Sequence, residues 1–281
     1  MAASCFVVKE GIRITQINSF FRLLCSNSYE FTGETHNFWE ILYVRKGTLC
    51  VSADDRIYNL PAGQIIFHQP LELHKFHITG KSEAEIVVMS YLAEGKLLDF
   101  FREKVFSLKK EQKNMIEELI SYAESHAEET ANPYERYHAA LRTVPFFPQR
   151  VSLQIQQLML SLAESNHITP LSELEDSTTY TAAVRYLSER VWETLLVETI
   201  ALELHLSISS LKRLFKKYAG MGIHKYFLKL KLKTAIELLE HGDSVTQVAR
   251  KLGFSSQAYF TNVFKRETGE SPSSYRNKLL K

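Results

Sequence analysis

Cysteine is scarce in this chain of 281 residues: it has three, Cys5, Cys25 and Cys50, an odd number with no close spacing. They suggest neither a disulfide framework nor a thiolate zinc site, and such usage fits a reducing, cytoplasmic compartment. Long apolar runs are lacking as well. No stretch of 18 apolar residues occurs, and the first residues break from Phe6, Val7 and Val8 into Lys9 and Glu10 instead of building a signal-peptide core. Neither a membrane partner nor export is therefore expected. Also missing are a glycine-rich phosphate loop and any Ser, Cys and His arranged as a nucleophile motif, so no cofactor, no catalytic residue and no enzyme activity is expected. The length leaves room for two domains, each large enough to bury its own core without covalent staples.

Charge of one sign is not lacking but segregated. The formal net charge is only +2, yet residues 181–281 hold 17 Lys and Arg against 9 Asp and Glu, and the preceding 180 hold 17 against 23. A basic C-terminal third beside an acidic remainder points to a polyanionic partner, because each neutralised phosphate releases condensed counterions. A solvated lysine face would give the same count, so the charge needs a motif beside it.

Between Ile41 and Leu92 the chain reads as short strands: Ile41 to Val44, Thr48 to Ser52, Arg56 to Leu60, Gln64 to His68, His74 to Ile78 and Ile86 to Met89. Turn signals at Lys46-Gly47, Asp54-Asp55, Pro61-Ala62-Gly63 and Gln69-Pro70 separate them, a spacing that suggests a barrel or sandwich. After about residue 95 the period becomes helical, with Ile116, Leu119, Ile120 and Ala123 on one face and Val151, Ile155, Leu158, Met159 and Leu162 on another. These faces either cover the barrel or pair with a second copy in a homodimer. The Pro-, Ser-, Thr- and acid-rich stretch 168–179 precedes the change in charge and marks a linker. The expected organisation is a sensing domain over 1–165, a linker over 166–179 and a helical domain over 180–281.

In that helical domain, Ile200-Ala-Leu-Glu-Leu-His-Leu-Ser207 aligns with Val248-Ala-Arg-Lys-Leu-Gly-Phe-Ser255 at an offset of 48. Each reads as a helix entering a tight turn, where a small residue (Ala201, Ala249) admits a second helix and a Ser caps it. Further on, Phe215-Lys-Lys-Tyr-Ala-Gly220 with Tyr226 matches Phe264-Lys-Arg-Glu-Thr-Gly269 with Tyr275 at an offset of 49. The repeat describes two helix-turn-helix units. Ser209, Lys212 and Arg213 in the first, and Gln257, Ala258, Thr261 and Asn262 in the second, face outward as candidate base readers; Arg suits guanine, and Gln or Asn suits adenine, in the major groove. The basic pairs Lys216-Lys217 and Lys265-Arg266, just past the core aromatic of each copy, are candidate phosphate contacts. Ser244-x-x-Gln247 predicts a capping box. Leu228, Leu232, Ala235 and Leu239 predict a long helix joining the units, a rigid connector suited to major-groove faces ~34 Å apart.

The string Gly253-Phe254-x4-Tyr259-Phe260-x3-Phe264-Lys265-x3-Gly269-x-Ser271-Pro272-x2-Tyr275-Arg276 resembles the signature of the AraC family of bacterial transcription regulators. The likeness runs from about Tyr180 to Arg276 and implies a seven-helix domain with two helix-turn-helix units that binds double-stranded promoter DNA. The first unit departs from the pattern: His205 stands where a small turn residue is common, and Gly222-Ile223 replaces the Ser-Pro of the second copy.

Residues 10–92 resemble the cupin-like sensor barrel of such regulators through His36-x3-Glu40-x6-Gly47, Pro61-Ala-Gly63 and His74. Side chains alternate along a strand, so Glu34, His36, Phe38 and Glu40 share a face and, with His74, form the candidate effector site. In cupin enzymes these positions bind a metal through three His and one Glu. Here Glu34 replaces the first His, and His36, Glu40 and His74 are weaker metal candidates than effector ligands, although this donor set is acceptable to iron, manganese or zinc. His68 and His77 have lesser claims, and Trp39 and Tyr43 alternate away from Glu40 toward the helices.

The expected fold is thus α+β with two domains: an N-terminal cupin-like β-barrel with flanking helices, and an all-α C-terminal domain with two helix-turn-helix units. The expected function is effector-responsive, sequence-specific regulation of transcription. The resemblance implies activation, and with it RNA polymerase as a partner; a sugar or related metabolite is the favoured effector. A metal-dependent cupin enzyme fused to a DNA-binding domain is the alternative.

Overall fold

In a computed structural model the described residues are 9–26, 29, 31–79, 83–130, 132, 134–165 and 175–279. The chain divides into two compact units, one of residues 1–53 and 58–173, the other of residues 54–57 and 174–281. Most of the expected linker, residues 166–174, and Cys5 lie outside the described residues, and a helix begins at Glu175, within the remainder of that stretch.

Among the described residues there are eight strands: β1 (Arg13–Cys25), β2 (Trp39–Lys46), β3 (Thr48–Ala53), β4 (Arg56–Pro61), β5 (Gln64–His68), β6 (His74–Ile78), β7 (Ala84–Glu94) and β8 (Val105–Ser107). But for the first two residues of β4, all belong to the first unit. They form a five-stranded sheet ordered β1-β7-β2-β5-β8 and a three-stranded sheet ordered β4-β3-β6. Gly47, at φ +81°, makes the β2–β3 turn; a Cβ there would meet the Glu83 carbonyl oxygen at 2.7 Å. Strand β2 is buried on both faces. Leu42 and Val44 pack between the sheets with Leu49, Val51, Ile66 and Phe76, whereas Ile41 and Tyr43 pack outward with Trp39, Ile65, Phe67 and Met89.

That outer layer is closed by helices: α1 (Leu98–Phe101), α2 (Lys110–Glu124), α3 (His138–Thr143) and α4 (Phe147–Ser165). Ile116, Leu119, Ile120 and Ala123 of α2 and Val151, Ile155, Leu158, Met159 and Leu162 of α4 are all buried in it, so the apolar stripes serve their own chain. Two strands were not legible in the sequence. In β1, register shifts between Ile14 and Gln16 and between Ile17 and Ser19 break the alternation that marks a strand. Strand β8 is three residues long and interrupts the helical region expected after residue 95.

The second unit has seven helices among the described residues: α5 (Glu175–Glu189), α6 (Val197–Glu203), α7 (Ile208–Ala219), α8 (Ile223–Glu240), α9 (Val245–Lys251), α10 (Gln257–Thr268) and α11 (Pro272–Leu279). The pairs α6–α7 and α9–α10 are the two repeats, and the equivalent aromatics meet alike. Phe215 and Tyr226 lie edge to face at 5.1 Å, and Phe264 and Tyr275 do so at 5.9 Å. The offset changes from 48 to 49 because the second turn is one residue longer. Ser207 caps α7 by accepting from the Ser210 N–H, but α10 is capped by Ser256, accepting from Tyr259, and not by the expected Ser255. The Ser244–Gln247 capping box forms at the start of α9. Helix α8, 18 residues long and so spanning about 27 Å, links the repeats.

Candidate functional site

Two groups of polar side chains stand out, one in each unit. In the barrel, backbone pairing gathers distant residues. Glu34 forms an isolated antiparallel bridge with His74, each N–H donating to the other's carbonyl at 2.9 and 3.0 Å. The Leu71 N–H donates to the His36 carbonyl at 2.7 Å, tying that segment to the β5–β6 loop. Across the sheet Glu40 lies opposite His68 on β5 and Ser90 on β7. One ligand atom from each of Glu34, His36, Glu40 and His74 lies within 4.8 Å of the others.

Glu40, His68, Glu72 and His74 are all buried. The His74 Nε2 is 3.3 Å from Glu40 Oε1 and 3.6 Å from Glu34 Oε1, and the His36 Nε2 is 3.5 Å from Glu40 Oε2 and 3.8 Å from Glu34 Oε1. Burial opposes the charge on Glu40, yet His36 and His74 hold its carboxyl well below the usual carboxylate range. For His74, burial disfavours the charged ring, but Glu34 and Glu40 outweigh it and carry the pKa up to about 10. His68 moves the other way: burial and the charge on His74 keep it below the ordinary imidazole value, against the pull of Glu72.

In front of this cluster opens a cavity of about 320 Å³. Glu34, Phe38 and Glu40 reach its wall, with Ser90, Phe76 and Asn18, whereas His36 and His74 do not line it and lie against Glu40. Phe38 stacks flat on the His36 ring at 3.8 Å. Tyr29 and Tyr134 close one side through their hydroxyls, 2.8 Å apart.

His68 and Glu72 belong to the cluster although His68 had little claim from its place in the sequence and Glu72 none. The His68 ring stacks on His74 at 4.2 Å, and its Nδ1 lies 2.5 Å from Glu72 Oε1. What brings His68 in is the pairing of β2 with β5, which strand alternation alone does not reveal. His77, next to the inward-facing Phe76, lies on the half-buried outer side of β6.

In the helical unit, Ser209, Lys212, Arg213 and Lys216 recur along one exposed face of α7. On α10, Gln257, Ala258, Asn262 and Lys265 are exposed and Thr261 is half-buried. Lys216, Lys217, Lys265 and Arg266 lie within the last helical turns rather than after them, where they also favour the helix dipole. Lys216 donates to the Gly220 carbonyl and Arg266 pairs with Glu267 at 2.9 Å. Gln257 is steadied from α9, its Oε1 accepting from the Thr246 hydroxyl at 2.7 Å. Unforeseen is Lys231 of α8: buried, its ammonium donates to the carbonyls of Glu193 at 2.7 Å and Leu252 at 2.6 Å. It ties the approach to the first repeat to the turn of the second. Its position on an apolar helix face gave a hint, but the carbonyls it meets are remote in sequence.

Residues 17–171, more than half of the chain, match the family model of the AraC-like ligand binding domain, and residues 200–278 match that of a helix-turn-helix domain. The chain is 23% identical over 258 residues to the HTH-type transcriptional activator RhaR of Mannheimia succiniciproducens, covering 88% of this chain and 87% of that protein. It is 36% identical over 98 residues to the regulatory protein PocR of Salmonella typhimurium, and 32% identical over 133 residues to the Msm operon regulatory protein of Streptococcus mutans. Those matches cover 34% and 45% of this chain but only 32% and 48% of the relatives. Among solved structures, ToxT from Vibrio cholerae O395 aligns at 14% identity over 96% of this chain and 99% of that one, with a TM-score of 0.39.

Proposed function

The chain belongs to the AraC family of transcription regulators, and from that premise we propose that it activates transcription from specific promoter sites in response to a sugar or related metabolite bound in its barrel. The observation that carries the DNA-binding half is the repeated pair of recognition helices, each with an exposed polar row and a basic last turn. Ser209, Lys212, Arg213, Gln257, Ala258, Thr261 and Asn262 read base edges; Lys216, Lys217, Lys265 and Arg266 hold phosphates.

The cavity supports the sensing half. It offers two carboxylates and a serine hydroxyl to ligand hydroxyls, and the faces of Phe38 and Phe76 to the apolar side of a sugar ring. A ligand can shift the protein between states only through different affinities for them, so the effector must bind the DNA-competent state more tightly. Of the residues assigned to it, Glu34, Phe38 and Glu40 line the cavity, and His36 and His74 act through the carboxylates beside them; the barrel senses without turning anything over.

Activation makes RNA polymerase a partner. A homodimer is supported by Leu153 and Leu160 of α4, 58% and 46% exposed and two helical turns apart on the face turned from the core. The deciding experiment is selection of duplexes from a randomised library by the full chain, with and without a panel of sugars and polyols. Recovery of a defined site whose occupancy one compound changes supports the reading; recovery of no preferred sequence refutes it.

A further inference from the structure

We propose that Glu34, His36, Glu40 and His74 bind one divalent transition-metal ion of the zinc, iron or manganese class, open to the cavity. The outer nitrogens of the two imidazoles face backbone carbonyls. His36 Nδ1 lies 3.0 Å from the Phe38 carbonyl oxygen, and His74 Nδ1 lies 3.2 Å from that of Glu72. A carbonyl only accepts, so both Nδ1 atoms carry the hydrogen and both Nε2 atoms point into the cluster. Neither Nε2 has a hydrogen-bond partner although both are buried. A buried nitrogen in that state is costly unless something inside the cluster meets it.

The carboxylates attract a cation at these nitrogens, and on His74 a proton takes that place when no metal is bound, but they do not stand at hydrogen-bonding length. They stand 3.3 to 3.8 Å from the two nitrogens, whereas a charge-assisted N–H···O bond is about 2.7–2.9 Å long. These separations suit an ion between the two nitrogens and the two carboxylates. With metal–ligand bonds of about 2.0–2.2 Å, the edges of a tetrahedron are about 3.3–3.6 Å. The four histidine–carboxylate separations thus lie at or close to such edges, Glu40 facing His74 through Oε1 and His36 through Oε2, and one donor atom from each residue lies within 4.8 Å of the others.

The surroundings fit the same reading. Backbone carbonyls holding the outer nitrogens fix tautomer and ring orientation, which is how histidine ligands are usually braced. The Glu34–His74 bridge fixes the separation of two donors through the main chain. Two imidazoles with two carboxylates favour a transition metal over magnesium or calcium, which prefer oxygen alone. Glu34, 48% exposed, and Glu40 form the side of the site facing the cavity, so an oxygen-bearing effector can reach the ion there. That last step rests on the sensing role proposed above; the metal site itself does not.

The test uses the full chain stripped with chelator and titrated with Zn²⁺, Mn²⁺ and Co²⁺, read by bound metal per chain, thermal midpoint and the visible spectrum of Co²⁺. One equivalent bound, a chelator-reversible rise in midpoint and an intense tetrahedral Co²⁺ spectrum are expected. His74→Gln and the half-exposed Glu34→Gln should each weaken binding at least about tenfold, the second without risk to folding. Failure of all three metals to bind stoichiometrically, or affinity unchanged in Glu34→Gln and His36→Gln, overturns the proposal. Duplex binding measured on the same preparations separates the two readings: a chain that selects a duplex but takes up none of the metals removes the metal site alone, and one that takes up metal but selects no duplex removes the regulator alone.

Discussion

His205 and Gly253 hold the same place in the two helix-turn-helix turns, each following its helix at positive φ, +53° and +65°. In both copies the next residue closes the turn onto the helix behind it, Leu206 N–H to the Ala201 carbonyl at 2.8 Å and Phe254 N–H to that of Ala249 at 3.0 Å. The second repeat uses glycine for this; the first accepts the strain of a side chain in the left-handed region. His205→Gly should therefore be more stable than His205→Ala by about 1 kcal/mol, measured by equilibrium unfolding of the two variants. Equal stabilities would show that the turn has another conformation in solution.

Lys231 is the buried tie of the helical unit. Lys231→Met keeps the stem's volume but leaves the Glu193 and Leu252 carbonyls without their donor, so a loss of about 1–3 kcal/mol is expected in denaturant unfolding. A variant as stable as the parent would show that the cost of burying the ammonium cancels the two hydrogen bonds.

If α10 reads bases, Gln257→Ala should relax preference at one position of the selected site and weaken binding there by about 1–3 kcal/mol. Lys216→Ala should weaken binding to all sequences alike and lower the salt slope by about one. A randomised duplex library and a salt titration measure the two, and an unchanged profile or slope removes that residue from its role.

Acid should weaken the barrel through Glu85, which accepts from Arg45 at 2.7 Å and from Arg22. Burial works to raise its pKa, but the two guanidiniums prevail and hold it below its ordinary value of 4.5. A depressed carboxylate stabilises fully above its unfolded pKa, and the contribution is lost as pH falls through the folded one. Glu85→Gln should thus be less stable than the parent by about 1–2 kcal/mol near neutral pH, with the gap closing below pH 4.5. A gap that stays constant into acid would assign the loss to packing.

Leu153→Glu should shift sedimentation of the full chain toward the monomer without lowering its thermal midpoint beyond the effect of the lost association, since residue 153 faces away from the core. Parent and variant sedimenting alike would remove this face from the dimer.

Features repeated at short range were legible in the sequence by itself. The strands from Ile41 to Met89, the stripes of α2 and α4, the doubled helix-turn-helix and its joining helix all follow from periods of two or 3.6 and from local turn chemistry. Alternation along one strand groups Glu34, His36, Phe38 and Glu40, but β2 begins only at Trp39 and residues 35–38 are not strand, so the Glu34–His74 bridge and the Leu71–His36 hydrogen bond bring the first two to Glu40. Only the tertiary structure decided that His68 stacks behind His74, that Glu72 locks it, that His36 and His74 do not line the cavity, and that Lys231 is buried. Those relations depend on strand register, main-chain bridges and loop carbonyls contributed by residues distant in sequence. Alternation says which face a side chain takes, but the non-local pairing of the backbone says what it meets there.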